Sequence, residues 1–211
     1  IKDVEYRYDA SAVRKDTEVR ILTEDKIRDE ILKNIRSMGD GDRIDLGMFY
    51  LAHREIIGEL IKAADRGAEI RVVLDPNKDA FGFEKNGIPN RQSAAELLKK
   101  SDGRIQVRWY LTQGEQFHTK IIAFHKEGEV VLIGGSANYT RRNLDNYNLE
   151  TDLAVTVKQD DPLAESFDAY FDRIWENKDG VCTGDFSEYR DDSFWKVLVY
   201  RFQEKTGLST F

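Results

Sequence analysis

The 211-residue sequence predicts an α/β fold: a mixed β-sheet flanked by helices on both faces, an α/β/α sandwich. Three observations carry that expectation. Apolar residues switch repeatedly between a period of two and a period near 3.6 along the chain. A strand–helix–strand succession between Arg43 and Leu74 has the lengths of a βαβ unit, which implies parallel pairing and a right-handed crossover. Strand-like and helix-like runs then continue to interleave nearly to the C-terminus.

The elements follow in order. Ile27, Ile31, Ile35 and Met38 recur at helical spacing, so a helix is expected over Thr23–Met38. Thr23 is its expected cap, Glu24 and Asp25 suit its positive end, and Gly39 and Gly41 stop it. Ile44, Leu46, Met48 and Tyr50 alternate through a strand from Arg43 to Leu51. Ile57, Leu60, Ile61 and Ala64 return to helical period over Glu55–Arg66, closed by Gly67. Ile70–Leu74 is an apolar strand ending at Asp75-Pro76, and 77–90 reads as a loop with Gly82, Gly87 and Pro89. A helix over Ala94–Lys100 and a strand over Ile105–Tyr110 come next. Three strand-like runs, Thr119–Phe124, Glu129–Ile133 and Leu149–Val157, lead to a helix opened by Asp161-Pro162. A final amphipathic helix is expected over Phe194–Phe202.

Composition bounds the function. Apolar residues make up 40 % and charged residues 34 %, an ordinary globular balance. The longest apolar runs are far too short to span a bilayer, and no basic-then-apolar leader is present, so the location is left open between cytoplasmic and membrane-associated. The first residue is Ile1 and not methionine, which suggests a processed or excised chain. One cysteine, Cys182, excludes a disulfide framework and a cysteine-rich zinc site. A net charge of −7 argues against a generic nucleic-acid binder, although a local basic groove can sit on an acidic protein.

The chemistry-bearing residues cluster in two stretches, Phe117–Phe124 and Val131–Thr140. Residues two apart on a strand share a face, so His118 and Lys120 project together, and Ser136 and Asn138 stand in the same relation after a pair of glycines. An imidazole, an ammonium, a hydroxyl and an amide on one small volume suit a tetrahedral anion beside a nucleophile or proton donor. Taken singly, each has a duller explanation: a structural histidine, a solvated lysine, turn residues.

Together, His118-Thr119-Lys120 and Gly135-Ser136-Ala137-Asn138 resemble the phospholipase D superfamily signature, H-x-K-x4-D with a downstream G-S-x-N. Phe49–Leu51, Ala64–Ala68 and Val72–Pro76 look like the segments preceding the motif in that family, and Asn148-Leu149-Glu150 like the one supplying the acidic partner of its histidine. The resemblance covers Arg43 to Val157, with a possible start at Glu18. It implies a phospholipase D-type phosphodiesterase or phosphatidyl transferase acting through a covalent phosphohistidine, with no metal and no cofactor. His118, Lys120, Asn138 and Glu150 would be catalytic and Ser136 would bind substrate, with Glu150 orienting His118. No cluster of carboxylates or histidines with metal-ligand spacing stands out in the sequence.

Three consequences follow from the resemblance. Residues 1–211 would be a single domain with one motif, whereas the family's two-step mechanism uses two. The second would come from a homodimer mate or from a missing N-terminal half, and in the latter case His118 would serve as general acid. The motif aspartate falls on His125, which we expect in an exposed hairpin turn and outside catalysis; His53 is expected to cap a helix or line the rim of the cleft. The substrate would be a phospholipid diester, favoured by the apolar-aromatic surroundings of Phe81, Phe83 and Trp109. A nuclease is the alternative if Arg91, Arg141 and Arg142 form a basic groove, and a silent binding domain the third.

Overall fold

The computed structural model describes residues 16–80, 83–84, 87–191 and 193–206. The backbone enters β1 (Glu18–Thr23) and α1 (Asp25–Ser37), then the unit β2 (Arg43–Met48), α2 (Arg54–Asp65), β3 (Glu69–Leu74). A short hairpin, β4 (Asp79–Ala80) and β5 (Phe83–Glu84), precedes α3 (Asn90–Lys100) and β6 (Ile105–Tyr110). Next come β7 (Lys120–Lys126), β8 (Glu129–Gly135), the short α4 (Arg141–Leu144) and β9 (Thr151–Lys158). The chain finishes with α5 (Pro162–Glu176), β10 (Thr183–Asp185), a 3-10 turn (Phe186–Tyr189) and α6 (Phe194–Thr206).

One eight-stranded sheet has the order β1-β9-β8-β7-β2-β3-β6-β10. β2, β3 and β6 are parallel, as the βαβ reading requires; β7, β8, β9 and β1 are antiparallel to their neighbours, so the sheet is mixed. Strand alternation divides the core. Ile44, Leu46, Ile122, Phe124 and Ile133 pack on Ile27, Ile31 and Leu60 of α1 and α2. Val73, Ala123, Val130, Leu132 and Val157 pack on Phe167, Phe171 and Ile174 of α5. Helices therefore cover both faces. Burying each of these side chains contributes about 1.5–3 kcal/mol, which is why the helix stripes, rather than helix propensity, hold the layers.

Several local expectations change in the folded chain. Thr23 ends β1 instead of capping α1; the residue before that helix is Glu24, at φ 56 and with no side-chain cap bond. β1 itself was not anticipated: its alternation is weak because Val19 and Ile21 point outward at the sheet edge. Asp161 does cap α5, accepting from the Leu163 N–H at 2.9 Å, with Pro162 in the first turn. His53 caps α2 through the Ile56 N–H at 3.5 Å and lies 3.3 Å from Asp145.

Trp109 belongs to the core and not to an exposed loop. It is fully buried against Phe186 and Tyr189, and its indole N–H donates to the Phe186 carbonyl. It therefore gives no support to a lipid-facing loop. Phe81 and the side chain of Phe83 lie outside the described residues. Among the described residues, no helix is long and apolar enough to cross a membrane.

Candidate active site at the open strand ends

Register alone brings the site together. Met48 at the end of β2 pairs with Lys120 at the start of β7, Ile121 with Gly134 near the end of β8, and Gly135 with Asp152 at the start of β9. Four strand ends thus meet on the edge where parallel β2 and β3 present their C-termini, the position where open α/β sheets form crevices. Asp75, just after β3, accepts the Phe117 N–H at 2.8 Å and fixes the approach to His118. The Phe49 N–H donates to the Thr119 carbonyl at 2.8 Å, carrying the ladder past the last residue of β2.

His118 is exposed and Lys120 half-buried. Lys120 Nζ lies 3.1 Å from His118 Nε2. With Lys120 as an ammonium, which has only protons to give, Nε2 is the acceptor in this contact and a neutral imidazole carries its proton on Nδ1. Both groups sit over Phe49, at 4.7 Å between ring centroids for His118 and 5.3 Å for the ammonium. Burial, then the neighbouring ammonium, pushes the His118 pKa down. Burial also lowers that of Lys120, against the pull of Glu150 and Asp152.

The second half of the site is the turn after β8. Ser136 Oγ donates to Glu150 Oε2 at 2.5 Å, and the Asn143 side-chain amide donates to Glu150 Oε1. Glu150 is thereby tied to Ser136 and Asn143, whereas the ring of His118 is engaged by Lys120. Gly135 is required for close approach and not for turn conformation: a Cβ there would collide with the Thr151 carbonyl and with Asp152. Asn138 is half-buried, and its Oδ1 is shielded from solvent with no partner among the described residues. The structure thus gathers His118 and Lys120 on one lip, and Ser136 and Glu150 on the facing one.

Two participants escaped sequence reasoning. Asp152 is 1 % exposed and accepts the Ala137 N–H at 3.1 Å; burial first, and Glu150 next, hold its pKa up at about 6. Asn143 had no motif to announce it. For Asp152 the signal was a carboxylate two residues beyond Glu150, inside an otherwise apolar run.

His125 is not in an exposed turn. It lies within β7, 8 % exposed, opposite Arg43, and contacts Asp45 at 3.3 Å and Asp168 at 3.6 Å. The turn begins two residues later than its polar neighbours suggested. Asp45, His125 and Asp168 come within metal-ligand reach of one another. Guanidinium groups already neutralise this cluster: Arg71 forks onto Asp45 at 2.6 and 2.8 Å, and Arg43 meets Asp168 at 2.6 Å.

Arg91, Arg141 and Arg142 do not form one basic groove. Arg91 donates to the Pro76 carbonyl and covers Tyr189, Arg141 is held by the Glu204–Lys205 carbonyls and Tyr147, and Arg142 holds Asn148. Arg141 instead lines a cleft of about 530 Å3 with His53, Arg54 and Glu204.

Comparison with known proteins identifies the family and the fold. The family profile described as "Cardiolipin synthase, PLD-like domain" matches residues 31–175. Nuc from Salmonella typhimurium, a phospholipase D family member, superposes with TM-score 0.58 at 22 % identity, covering 83 % of this chain and 99 % of that one. NucT from Helicobacter pylori gives 0.60 at 17 %, covering 80 % and 99 %. Phosphatidylserine synthase from Haemophilus influenzae gives 0.63 at 12 %, covering 91 % of this chain and 46 % of that one. No curated protein sequence matches the chain.

Proposed function

We propose, from the premise that this chain belongs to the phospholipase D-like domain family of the cardiolipin synthase type, that it is one catalytic half of an enzyme that cleaves or exchanges phospholipid phosphodiesters. The observation that carries this reading is the His118–Lys120 pair, 3.1 Å apart and facing the Ser136–Glu150 turn across the open strand ends. Residues 1–211 are read as one domain with one motif.

An uncharged imidazole can act as nucleophile once its Nε2 lone pair, held by Lys120 in the structure, is released toward phosphorus. In the proposed scheme, Nε2 of His118 forms a bond to phosphorus as the bond from phosphorus to the leaving oxygen breaks. That oxygen takes a proton from a second histidine supplied by a mate; where another half of a longer chain supplies it, the roles exchange and His118 gives the proton. Water or an alcohol then attacks the phosphohistidine, returns its proton to the second histidine and releases Nε2. Lys120, Ser136 and Asn138 would hold the non-bridging oxygens, and their charge and dipoles would stabilise the crowded, negatively charged transition state. Glu150 would act by fixing Ser136. Orientation of His118 by Glu150 would require the carboxylate to leave the Ser136–Asn143 pair.

Phospholipid is preferred to nucleic acid for two reasons. Arg91 and Arg141 are held by carbonyl groups of the fold and Arg142 by Asn148, so the three form no shared basic channel, and Leu149, beside Glu150, is 89 % exposed. The test is a substrate panel of phosphatidylglycerol vesicles, bis(p-nitrophenyl) phosphate and single-stranded DNA, with His118→Ala as control. We expect His118-dependent turnover of the lipid and the aryl diester. Turnover of DNA alone would replace the lipid assignment with a nuclease, and no turnover of any diester by the assembled protein would leave a binding domain.

A further inference from the structure

One buried ionisable group faces the site and has no part in the scheme above. Asp152 is the second residue of β9, on the side of the sheet that packs on α1 and α2, shared with Ala154 and, on β7, with Lys120 and Ile122. Its Oδ1 accepts the Ala137 N–H, while its Oδ2 is sealed from solvent with no partner among the described residues. A half-satisfied carboxylate at such a position costs stability, and packing gives no reason for it, since Ala154 fills the equivalent place two residues on. Gly135, opposite in register, has no room for a side chain because the Thr151 carbonyl and Asp152 are there.

The charged and titratable groups facing Asp152 are few. Glu150 raises its proton affinity and Lys120 lowers it, while the Ala137 and Ser136 peptide groups favour the ionised form. The buried Tyr139 hydroxyl also feels it, being pushed further up by Asp152 after burial has raised it. Lys120 is reciprocal: burial favours loss of its proton, and Glu150 and Asp152 oppose that loss.

We propose that Asp152 is a positioning residue of the site, clamping the Ser136–Asn138 turn from beneath through Ala137 and serving as the buried counter-charge that keeps Lys120 an ammonium. The clamp and the counter-charge are properties of the fold; only the use of Lys120 on a phosphoryl oxygen rests on the function proposed above. Because coupling between two titrating groups is mutual, each should move the other.

The experiment is an NMR titration of the full chain with 13C-labelled lysine and aspartate, the Lys120 signal being assigned by its loss in Lys120→Met. Asp152→Asn keeps an acceptor for the Ala137 N–H and removes only the charge. We expect the proton affinity of Lys120 to fall about three-fold or more in this variant, as loss of a neighbouring opposite charge requires. In the reverse direction, Lys120→Met should raise the titration midpoint of Asp152, read from its side-chain carbon, which needs no Asp152 variant to fold. Titrations that do not move in either direction would overturn the counter-charge. A parallel assay on bis(p-nitrophenyl) phosphate should show Asp152→Asn losing kcat more at pH 9 than at pH 7, with KM little changed. If the wild-type chain turns over no diester, the functional reading fails, and the two titrations still decide the coupling.

Discussion

Two histidines, seven residues apart and so about 23 Å along one extended segment, sit in opposite surroundings. His118 is exposed at the open strand ends beside an ammonium, with the Glu150 carboxylate turned toward a serine and an amide. His125, at the closed end, is packed beneath α5 among Asp45, Asp168, Arg43 and Arg71, where opposite charges meet at hydrogen-bond distance. One end closes its charges into direct ion pairs; at the other, Lys120 feels Glu150 and Asp152 without bonding either. An aspartate at position 125, as in the family motif, would place a further carboxylate beside Asp45 and Asp168, whereas a histidine suits these partners. The difference teaches that the residue type is a weak guide and the sign of its neighbours a strong one.

The largest effect that would break this comparison is on turnover. His118→Ala should lower turnover of bis(p-nitrophenyl) phosphate by about a thousand-fold or more, because the reacting nitrogen is lost, while His125→Asn should stay within a few-fold. Comparable losses in the two variants, measured on folded protein, would mean that the closed end takes part in the chemistry.

Stability should sort the other way. Arg71→Met leaves Asp45 buried with one fewer partner and should cost about 3–5 kcal/mol in urea unfolding, the usual penalty for breaking a buried pair. His118→Ala, at an exposed position, should change stability by less than about 0.5 kcal/mol. A cheap Arg71→Met would show that the closed end is not the braced one.

A third test sharpens the open end. Glu150→Gln removes a charge but can keep bonds to Ser136 and Asn143, so we expect a loss of about ten-fold in kcat. Glu150→Ala should lose more. A loss with Glu150→Gln as large as with His118→Ala would point to direct orientation of the histidine.

The smallest effect is in pH. Asp152 has a folded pKa raised to about 6, so its contribution to stability is fully present below its unfolded value near 4 and is lost as pH rises through 6. Asp45 is lowered: burial opposes ionisation, but His125 and Arg71 outweigh it, so its contribution is present above pH 4 and lost as pH falls below. Hydrogen exchange, corrected for intrinsic rates, should therefore show Ala137 less protected as pH rises from 4 to 7, and Asp45 less protected as pH falls below 4. Trends of the same sign would remove the electrostatic contrast.

What could be read from the residues themselves was local. Period two and period 3.6 located most strands and the longer helices, the βαβ unit implied parallel β2 and β3, and the spacing in His118-Thr119-Lys120 put two groups on one side of the chain. Such patterns depend on neighbours within a few positions, so the chain needs no partner to display them. Tertiary structure decided what depends on register and burial. Only the pairing of Gly135 with Asp152 brings a carboxylate under the turn, and only the pairing of Arg43 with His125 draws that histidine out of solvent. The choice of Ser136 and Asn143 as partners for Glu150 was likewise invisible, since a carboxylate bonds whichever donor the folded backbone brings to it. Charge works through space, and the distances that set its strength exist only once the strands have paired.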